Sequence, residues 1–139
     1  MKNKYLIIAE LFQKLIDITK DHRLLEIYAE YLVALKLVER GYKVKVLCSK
    51  RSQADILLED VGKYVEVKSS RIDMDDWICT ATFREKDKKN EYFVFVVFKD
   101  FKPFEFLIFT INEIKEVFKM KRGTYEGYTL YRFLSLEEY

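Results

Sequence analysis

The chain has 139 residues, of which half are hydrophobic and 16% are aromatic, and its formal net charge is +2. This composition excludes an intrinsically disordered chain, and the length suits one domain over residues 1–139 but not a catalytic domain with a separate recognition domain. Because the net charge is nearly neutral, the total gives no argument for nucleic-acid binding, and such an argument must rest on local clusters.

The cysteine and histidine content bears on metal sites and location. Cys48 and Cys79 form no Cys-x-x-Cys pair and the chain has one His, so we expect no zinc site. Two free thiols fit a reducing cytosol, and we expect a cytoplasmic protein. The first residues reach a charge after only a few apolar positions, which predicts neither a signal peptide nor a membrane span.

Two amphipathic helices are predicted at the start of the chain. Residues 4–19 carry apolar side chains near helical spacing. The second helix is predicted to be capped by Asp21 and stopped by Gly41. Its apolar stripe consists of Leu24, Leu25, Tyr28, Tyr31, Leu32, Leu35 and Val38. Glu26 and Glu30 lie four residues apart and therefore on one face of this helix.

A short strand over residues 42–47 is predicted next, because Val44 and Val46 alternate with lysines. The loop that follows carries Lys50, Arg51 and Ser52. A basic, hydroxyl-bearing loop of this kind can hold a phosphate, and the alternative is a solvated surface loop.

Residues 54–70 predict a β-hairpin, because two runs rich in branched apolar residues flank Asp60-Val61-Gly62. If the turn is centred on Asp60-Val61, residues whose numbers add to 121 lie opposite each other, which places Asp55 across from Glu66. Since side chains alternate along a strand, Glu66 shares one face with Lys68. Two carboxylates and an ammonium are therefore predicted to lie close together.

Adjacent carboxylates repel each other unless a positive charge lies between them, and a divalent cation would fill that place. Carboxylate oxygens, completed by waters and a backbone carbonyl, suit Mg²⁺ or Mn²⁺. Lys68 would then orient or help to deprotonate a water that attacks phosphorus, or stabilise charge on the phosphate. This patch predicts metal-assisted hydrolysis of a phosphodiester.

The spacing of Asp55 and Glu66-Val67-Lys68 resembles the signature of the PD-(D/E)XK nuclease superfamily, which includes restriction endonucleases and archaeal Holliday-junction resolvases. Members carry an acidic residue on a helix before the hairpin, and here the matching residue is Glu30, in the stretch 28–44. The Pro expected before the Asp is Ala54, a position that supplies backbone shape and no ligand. The resemblance covers residues 23–70.

The resemblance implies a restriction endonuclease-like α/β core, a mixed β-sheet flanked by helices. It implies Mg²⁺ or Mn²⁺ held by Asp55 and Glu66, with the Val67 carbonyl as a third ligand, and Glu30 bound to a second ion or to a metal-held water. Glu26 remains an alternative to Glu30 as the helix acid. The implied substrate is DNA, duplex or branched, and cuts in both strands would need two active sites, which suggests a homodimer.

Residues after the hairpin offer further candidates for phosphate contacts. Ser69, Ser70 and Arg71 end the strand near Lys68, although a serine pair at such a place is more often part of a turn. Residues 72–91 are predicted as a short helix or irregular crossover, with acidic caps before Trp77. Arg84, in a mixed charge run that is most simply a solvated turn, is a further candidate for contact with nucleic acid.

The last third of the chain predicts three strands and a helix. The continuous apolar run 92–98 indicates a central strand buried on both faces, and 104–110 a further strand after Pro103. A helix is predicted over 111–120, capped by Thr110 and closed by Lys119, Lys121 and Arg122. Residues 128–134 are predicted as an edge strand.

We therefore predict a metal-dependent DNA nuclease, in which Glu30, Asp55, Glu66 and Lys68 are catalytic. A catalytically silent nucleic-acid-binding or assembly module with the same fold is the main alternative. The other is an unrelated α/β interaction domain in which Glu66 and Lys68 form only a surface ion pair.

Overall fold

Two helices and eight strands are found in the part of the chain that the computed structural model describes, namely residues 3–47, 54–73, 76–84, 91–110, 112–113, 119–122 and 127–135. Side chains are described for 3–47, 54–71, 91–110 and 112–113. The helices are α1 (Lys4–Thr19) and α2 (Leu24–Glu39). The strands are β1 (Val44–Val46), β2 (Ile56–Leu58), β3 (Lys63–Asp73), β4 (Asp76–Arg84), β5 (Tyr92–Lys99), β6 (Lys102–Thr110), β7 (Lys119–Arg122) and β8 (Gly127–Ser135).

Both helices match their predicted ranges. The Asn3 side chain caps α1 by accepting a hydrogen bond from the Tyr5 N–H at 2.9 Å, which satisfies one of the free amides at the helix start. Gly41, with φ +94°, follows the end of α2 as predicted, since glycine adopts this conformation without strain. Neither helix is long and apolar enough to cross a membrane.

The predicted cap of α2 is wrong. Arg23 precedes the first helical residue and makes no capping hydrogen bond with its side chain. The Asp21 carboxylate instead accepts from the Arg23 N–H at 2.9 Å and pairs with the Arg23 guanidinium. Asp21 thus organises the turn before the helix, because its short side chain bonds the backbone two residues on.

Five strands form a mixed sheet in the order β1-β2-β3-β5-β6. β3 and β5 are parallel, and the other neighbours are antiparallel. With the two helices on it, this sheet confirms the predicted α/β class. The last two residues of β3 pair with β4, which continues into a second group of strands in the order β4-β8-β7.

The predicted hairpin register is confirmed. Ile56 pairs with Val65, Leu57 with Tyr64 and Leu58 with Lys63, so the numbers of each pair add to 121. Asp55 lies one residue before β2, just outside the paired residues.

The main core lies between the helices and one face of this sheet. Side chains of α2 pack against Ile56, Val65 and Val67 of the hairpin and against Val94 and Val96 of β5. Those from α2 are Leu25, Tyr28, Ala29, Leu32, Val33 and Ala34. β5 is buried from Phe93 to Phe98, which confirms the predicted central strand, and its Phe95 meets Phe109 of β6 edge to face at 5.9 Å on the other side of the sheet.

The prediction for residues 72–91 is wrong where the structure describes them. Asp76–Arg84 is the strand β4 and not a helix or irregular crossover. Asp73 of β3 pairs with Asp76 of β4, so these two acidic residues lie on neighbouring strands and cap no helix. Thr80, Thr82 and Phe83 have the β-branched and aromatic side chains that strands favour, and pairing with β8 over the whole of β4 decides between the two conformations.

The end of the chain also differs from its prediction. The Thr110 hydroxyl accepts from the Glu113 N–H at 3.2 Å while the Glu113 carboxylate accepts from the Thr110 N–H at 3.1 Å, so the predicted cap is confirmed. Residues 114–118 lie outside the described residues. Lys119–Arg122 is a strand, so the predicted helix end is wrong, and β8 lies between β4 and β7 and is not an edge strand.

Two isoleucines on α1 test which face of this helix is packed. Ile16 is completely buried and Ile18 is 82% exposed. We expect Ile16→Ala to lower the free energy of unfolding by about 2–5 kcal/mol, because it leaves a cavity in the core. The matched variant Ile18→Ala should change it by less than about 0.5 kcal/mol. Urea denaturation of both variants measures this difference. Equal losses of unfolding free energy in the two variants would contradict the packing described.

Candidate active site

Asp55 is fixed beside the middle of β3 by its own side chain. Its Oδ2 accepts a hydrogen bond from the Val67 N–H at 2.8 Å, and its N–H donates to the Val65 carbonyl at 3.2 Å. These two bonds attach Asp55 to β3 just before β2 begins. The Asp55 carboxylate therefore lies against the Glu66-Val67 segment, as the register predicted.

Glu66 and Lys68 lie on the same face of β3 and contact each other. The Lys68 Nζ is 3.1 Å from the Glu66 Oε1, and the side chains are 22% and 12% exposed. Partial burial weakens solvent screening, so this ion pair is held more firmly than one on the surface. The hypothesis of a mere surface ion pair does not fit this burial.

Glu30 reaches this region from α2. Its carboxyl forms a hydrogen bond with the Asp55 carboxyl, and its pKa is raised to about 8. Burial is the largest cause, followed by the hydrogen bond with Asp55 and by the negative charges of Asp55, Glu26 and Glu66. Glu26, one turn earlier, is exposed. Of the two candidate helix acids, Glu30 is the one that contacts Asp55.

The donor chemistry of these residues fits a hard divalent cation. Two carboxyls are in contact, and a third is close enough to act on the charge of Glu30. Such a group of acids is destabilised by mutual repulsion, which a cation relieves. Among the described side chains, however, no three His, Cys, Asp or Glu are already arranged as a cluster that could hold a metal ion. The Glu66 carboxylate faces Lys68 instead.

A cleft of about 300 Å³ lies between the end of α2, the β2–β3 hairpin and the strands β5 and β6. Apolar side chains dominate its lining, and Arg40 and Lys63 are its charged members. Because none of the four predicted catalytic residues lines it, we do not assign the hydrolytic chemistry to this cleft.

The residues predicted to contact nucleic acid differ in burial and in the face of the sheet on which they lie, and some of them lie outside the described residues. Ser70 is buried on the face of Glu66 and Lys68, whereas Ser69 is partly buried on the opposite face. Arg71 is exposed at the end of the pairing between β3 and β5. The backbone of Arg84 ends β4, and its side chain lies outside the described residues. Lys50, Arg51 and Ser52 also lie outside them.

One group of contacts was not predicted from the sequence. The Arg71 guanidinium lies 2.8 Å from Nδ1 of His22, whose ring stacks on Phe101 with a centroid distance of 4.6 Å. These residues come from β3, from the loop between the helices and from the turn after β5. No local pattern joins such distant segments, so only the folded chain reveals the contact.

Comparison with known proteins gives a structural match. No protein-family model matches the chain, and no curated protein matches it. A solved structure of a bacterial homing endonuclease, I-Ssp6803I, is similar with a TM-score of 0.56 and 16% sequence identity, over 81% of this chain and 75% of that one. At this identity the likeness establishes the fold alone.

The raised pKa of Glu30 predicts a pH effect on the stability of the metal-free protein. An ordinary glutamate, whose pKa is 4.5, is ionised in the unfolded chain above that pH, whereas folded Glu30 keeps its proton to about pH 8. Its contribution to stability is therefore fully present below pH 4.5 and is lost as the pH rises to 8. Since Glu30 is partly exposed, we expect only a fraction of the roughly 1.4 kcal/mol per pH unit that one proton can give.

Urea denaturation in chelator, across pH 5 to 8, measures this effect. Glu30→Gln should become more stable relative to the wild type as the pH rises, whereas Glu39→Gln, an exposed acid at the other end of α2, should follow the wild type. Parallel curves for wild type and Glu30→Gln would contradict the environment described for Glu30.

Proposed function

We propose that this protein is a divalent-metal-dependent nuclease of the PD-(D/E)XK type that hydrolyses phosphodiester bonds in DNA. The observation that carries the proposal is the contact between Glu30 of α2 and Asp55, next to the Glu66–Lys68 pair on β3. A domain without catalytic work gains nothing from three acids gathered in a partly buried place, because each raises the electrostatic cost of the others. The similarity to a homing endonuclease supports a nuclease in particular.

The metal would be Mg²⁺ or Mn²⁺. Asp55 and Glu66 would supply carboxylate oxygens, the Val67 backbone would supply its carbonyl, and Glu30 would hold a second ion or a metal-held water. Bound there, the metal would polarise the phosphate and lower the pKa of a water. The Val67 N–H already orients Asp55, so one residue's backbone would position two of the ligands.

Lys68 is the chain's own group for the phosphate or the water. Its ammonium is held by Glu66 at 3.1 Å and is largely shielded from solvent. From this position it would orient the attacking water or stabilise negative charge that develops on the phosphate. Ser69, Ser70 and Arg71 follow directly on β3 and would contact neighbouring phosphates.

We further propose an endonuclease, resolvase-like or restriction-like, that acts on duplex or branched DNA. Two cuts in opposite strands need two active sites, and the described part of this chain provides one group of the required acids, so we propose a homodimer for such work.

A cleavage assay tests the proposal. The protein is incubated with plasmid, single-stranded and four-way-junction DNA in Mg²⁺, Mn²⁺ or chelator, and products are resolved on gels. Cleavage that needs the metal supports the nuclease. Binding without cleavage in either metal would favour the catalytically silent nucleic-acid-binding module, and neither activity would favour an unrelated interaction domain.

Paired substitutions locate the activity. We expect Asp55→Ala and Lys68→Ala each to lower the cleavage rate by about 100-fold to 10,000-fold, the range for loss of a residue that acts directly on the reacting groups. Glu59→Ala and Lys63→Ala are the matched controls, because they remove the same charges from the turn of the same hairpin and from the first residue of β3. Equal rates for all four variants would reject the proposed site.

The helix acid has its own pair of variants. Glu30→Ala should reduce metal-dependent cleavage strongly, and Glu26→Ala should not, because only Glu30 contacts Asp55. The reverse result would assign the role to Glu26.

A further inference from the structure

A group of cationic and aromatic side chains lies at the end of the sheet at which the parallel strands β3 and β5 finish. We call it the basic cluster and define it as Lys20, His22, Arg71, Lys99, Phe101 and Lys102. It comes from the loop between the helices, from β3 and from the turn between β5 and β6. None of the four proposed catalytic residues belongs to it.

Contacts among these side chains join the three segments. The Lys20 Nζ lies 5.4 Å from the centre of the Phe101 ring, a distance at which a cation is attracted to an aromatic face. His22 stacks on Phe101 at 4.6 Å and meets the Arg71 guanidinium at 2.8 Å. Arg71 is thus held in a defined place although it is exposed.

The backbone of the basic cluster is strained. Of the described residues other than glycine, those with positive φ are Lys20 (+52°), Asp100 (+52°) and Phe101 (+63°), and all lie in its segments. This conformation costs a bulky residue free energy, and it persists where the surrounding structure fixes it. The Phe101 carbonyl accepts a hydrogen bond from Gln13 of α1 at 3.1 Å, which holds the turn. Strain of this kind occurs often at sites that clamp a ligand.

Positive charge is concentrated in these segments. Residues 20–23, 71 and 99–102 contain five lysines and arginines but only Asp21 and Asp100 as acids, an excess larger than the net charge of +2 for the whole chain. Asp21 is already paired with Arg23 at 2.9 Å. No described carboxylate lies within ion-pair distance of Lys20, Lys99 or Lys102. Lys20 and Lys99 lie over the rings of Phe101 and Phe104, at 5.4 and 5.6 Å, contacts that leave their positive charge without a carboxylate to neutralise it.

The basic cluster lies close to the proposed active site along the chain. Arg71 follows Lys68 by three residues, about 10 Å along a strand at roughly 3.3 Å per residue. Because side chains alternate along a strand, Arg71 projects from the face of β3 opposite to Lys68. A duplex that contacts both would therefore have to pass the end of the sheet at which β3 and β5 finish.

We propose that the basic cluster binds the phosphate backbone of duplex DNA beside the scissile position. This inference rests on the proposed function. It adds a second surface that binds DNA without taking part in catalysis. Lysine and arginine contacts to phosphates position the duplex without reading its sequence, and they make binding dependent on salt. The cluster therefore contributes affinity and register, while Lys68 and the acids perform the reaction.

The test is a binding measurement with a fluorescently labelled DNA duplex and the full chain in chelator, so that no cleavage occurs. The variant is the double substitution Lys99→Gln with Lys102→Gln, and the control is Lys14→Gln with Lys43→Gln, which removes two exposed lysines outside the cluster. We expect the variant to bind at least about tenfold more weakly at moderate salt, with a salt dependence of log K smaller by about 1.8. The control should bind as the wild type does.

A second readout separates this contact from the active site. With Mg²⁺ and saturating DNA, the variant should cleave at the wild-type rate, because only the concentration needed for saturation changes. Wild-type affinity and salt dependence in the variant would overturn the inference and leave the proposed nuclease intact. Failure of the wild type to cleave any DNA would reject the nuclease, while weaker binding by the variant would still support the cluster as a DNA surface.

The identity of the anion is tested by competition. Unlabelled duplex should displace the labelled duplex far better than poly-glutamate does at equal charge. If poly-glutamate competes equally well, and the variant binds both the duplex and poly-glutamate more weakly, the surface recognises acidic protein. The inference for DNA is then wrong.

Discussion

The contact between the carboxyls of Glu30 and Asp55 depends on the packing of α2 against the β2–β3 hairpin. Two acids in a partly buried place repel each other once ionised, so a further force must hold them together. Side chains such as Tyr28, Leu32 and Val33 supply it, because each contributes about 1.5–3 kcal/mol when it is fully buried. The apolar face of α2 thus positions the acid on its edge.

The register of the β2–β3 hairpin, which follows from local pattern, was predicted correctly. Strand periodicity and a glycine-containing turn specify the register, and the register puts Asp55 beside Glu66 and Val67. The choice between Glu26 and Glu30 was left open because both lie on one helix face. Only the docking of α2 distinguishes them, since it buries one and leaves the other exposed.

The predictions that were wrong concern strands whose partners lie far away in the sequence. β4 contains residues that are found in helices and strands alike, and its partner β8 lies more than 40 residues later in the chain. No window of sequence contains both, so neither the strand β4 nor the central position of β8 was predictable from the pattern. The basic cluster was missed for the same reason, because Arg71, His22 and Phe101 meet only in the folded protein.

The pairing of β4 with β8 has a consequence for biosynthesis. During translation β4 leaves the ribosome as a strand without this neighbour, and Gly127, the first residue of β8, is added roughly 2 to 9 s after Arg84 at about 5–20 residues per second. During that interval the backbone amides and carbonyls of β4 that will later bond to β8 can form hydrogen bonds with another chain. The nascent protein is therefore exposed to mispairing at β4 until β8 has been synthesised.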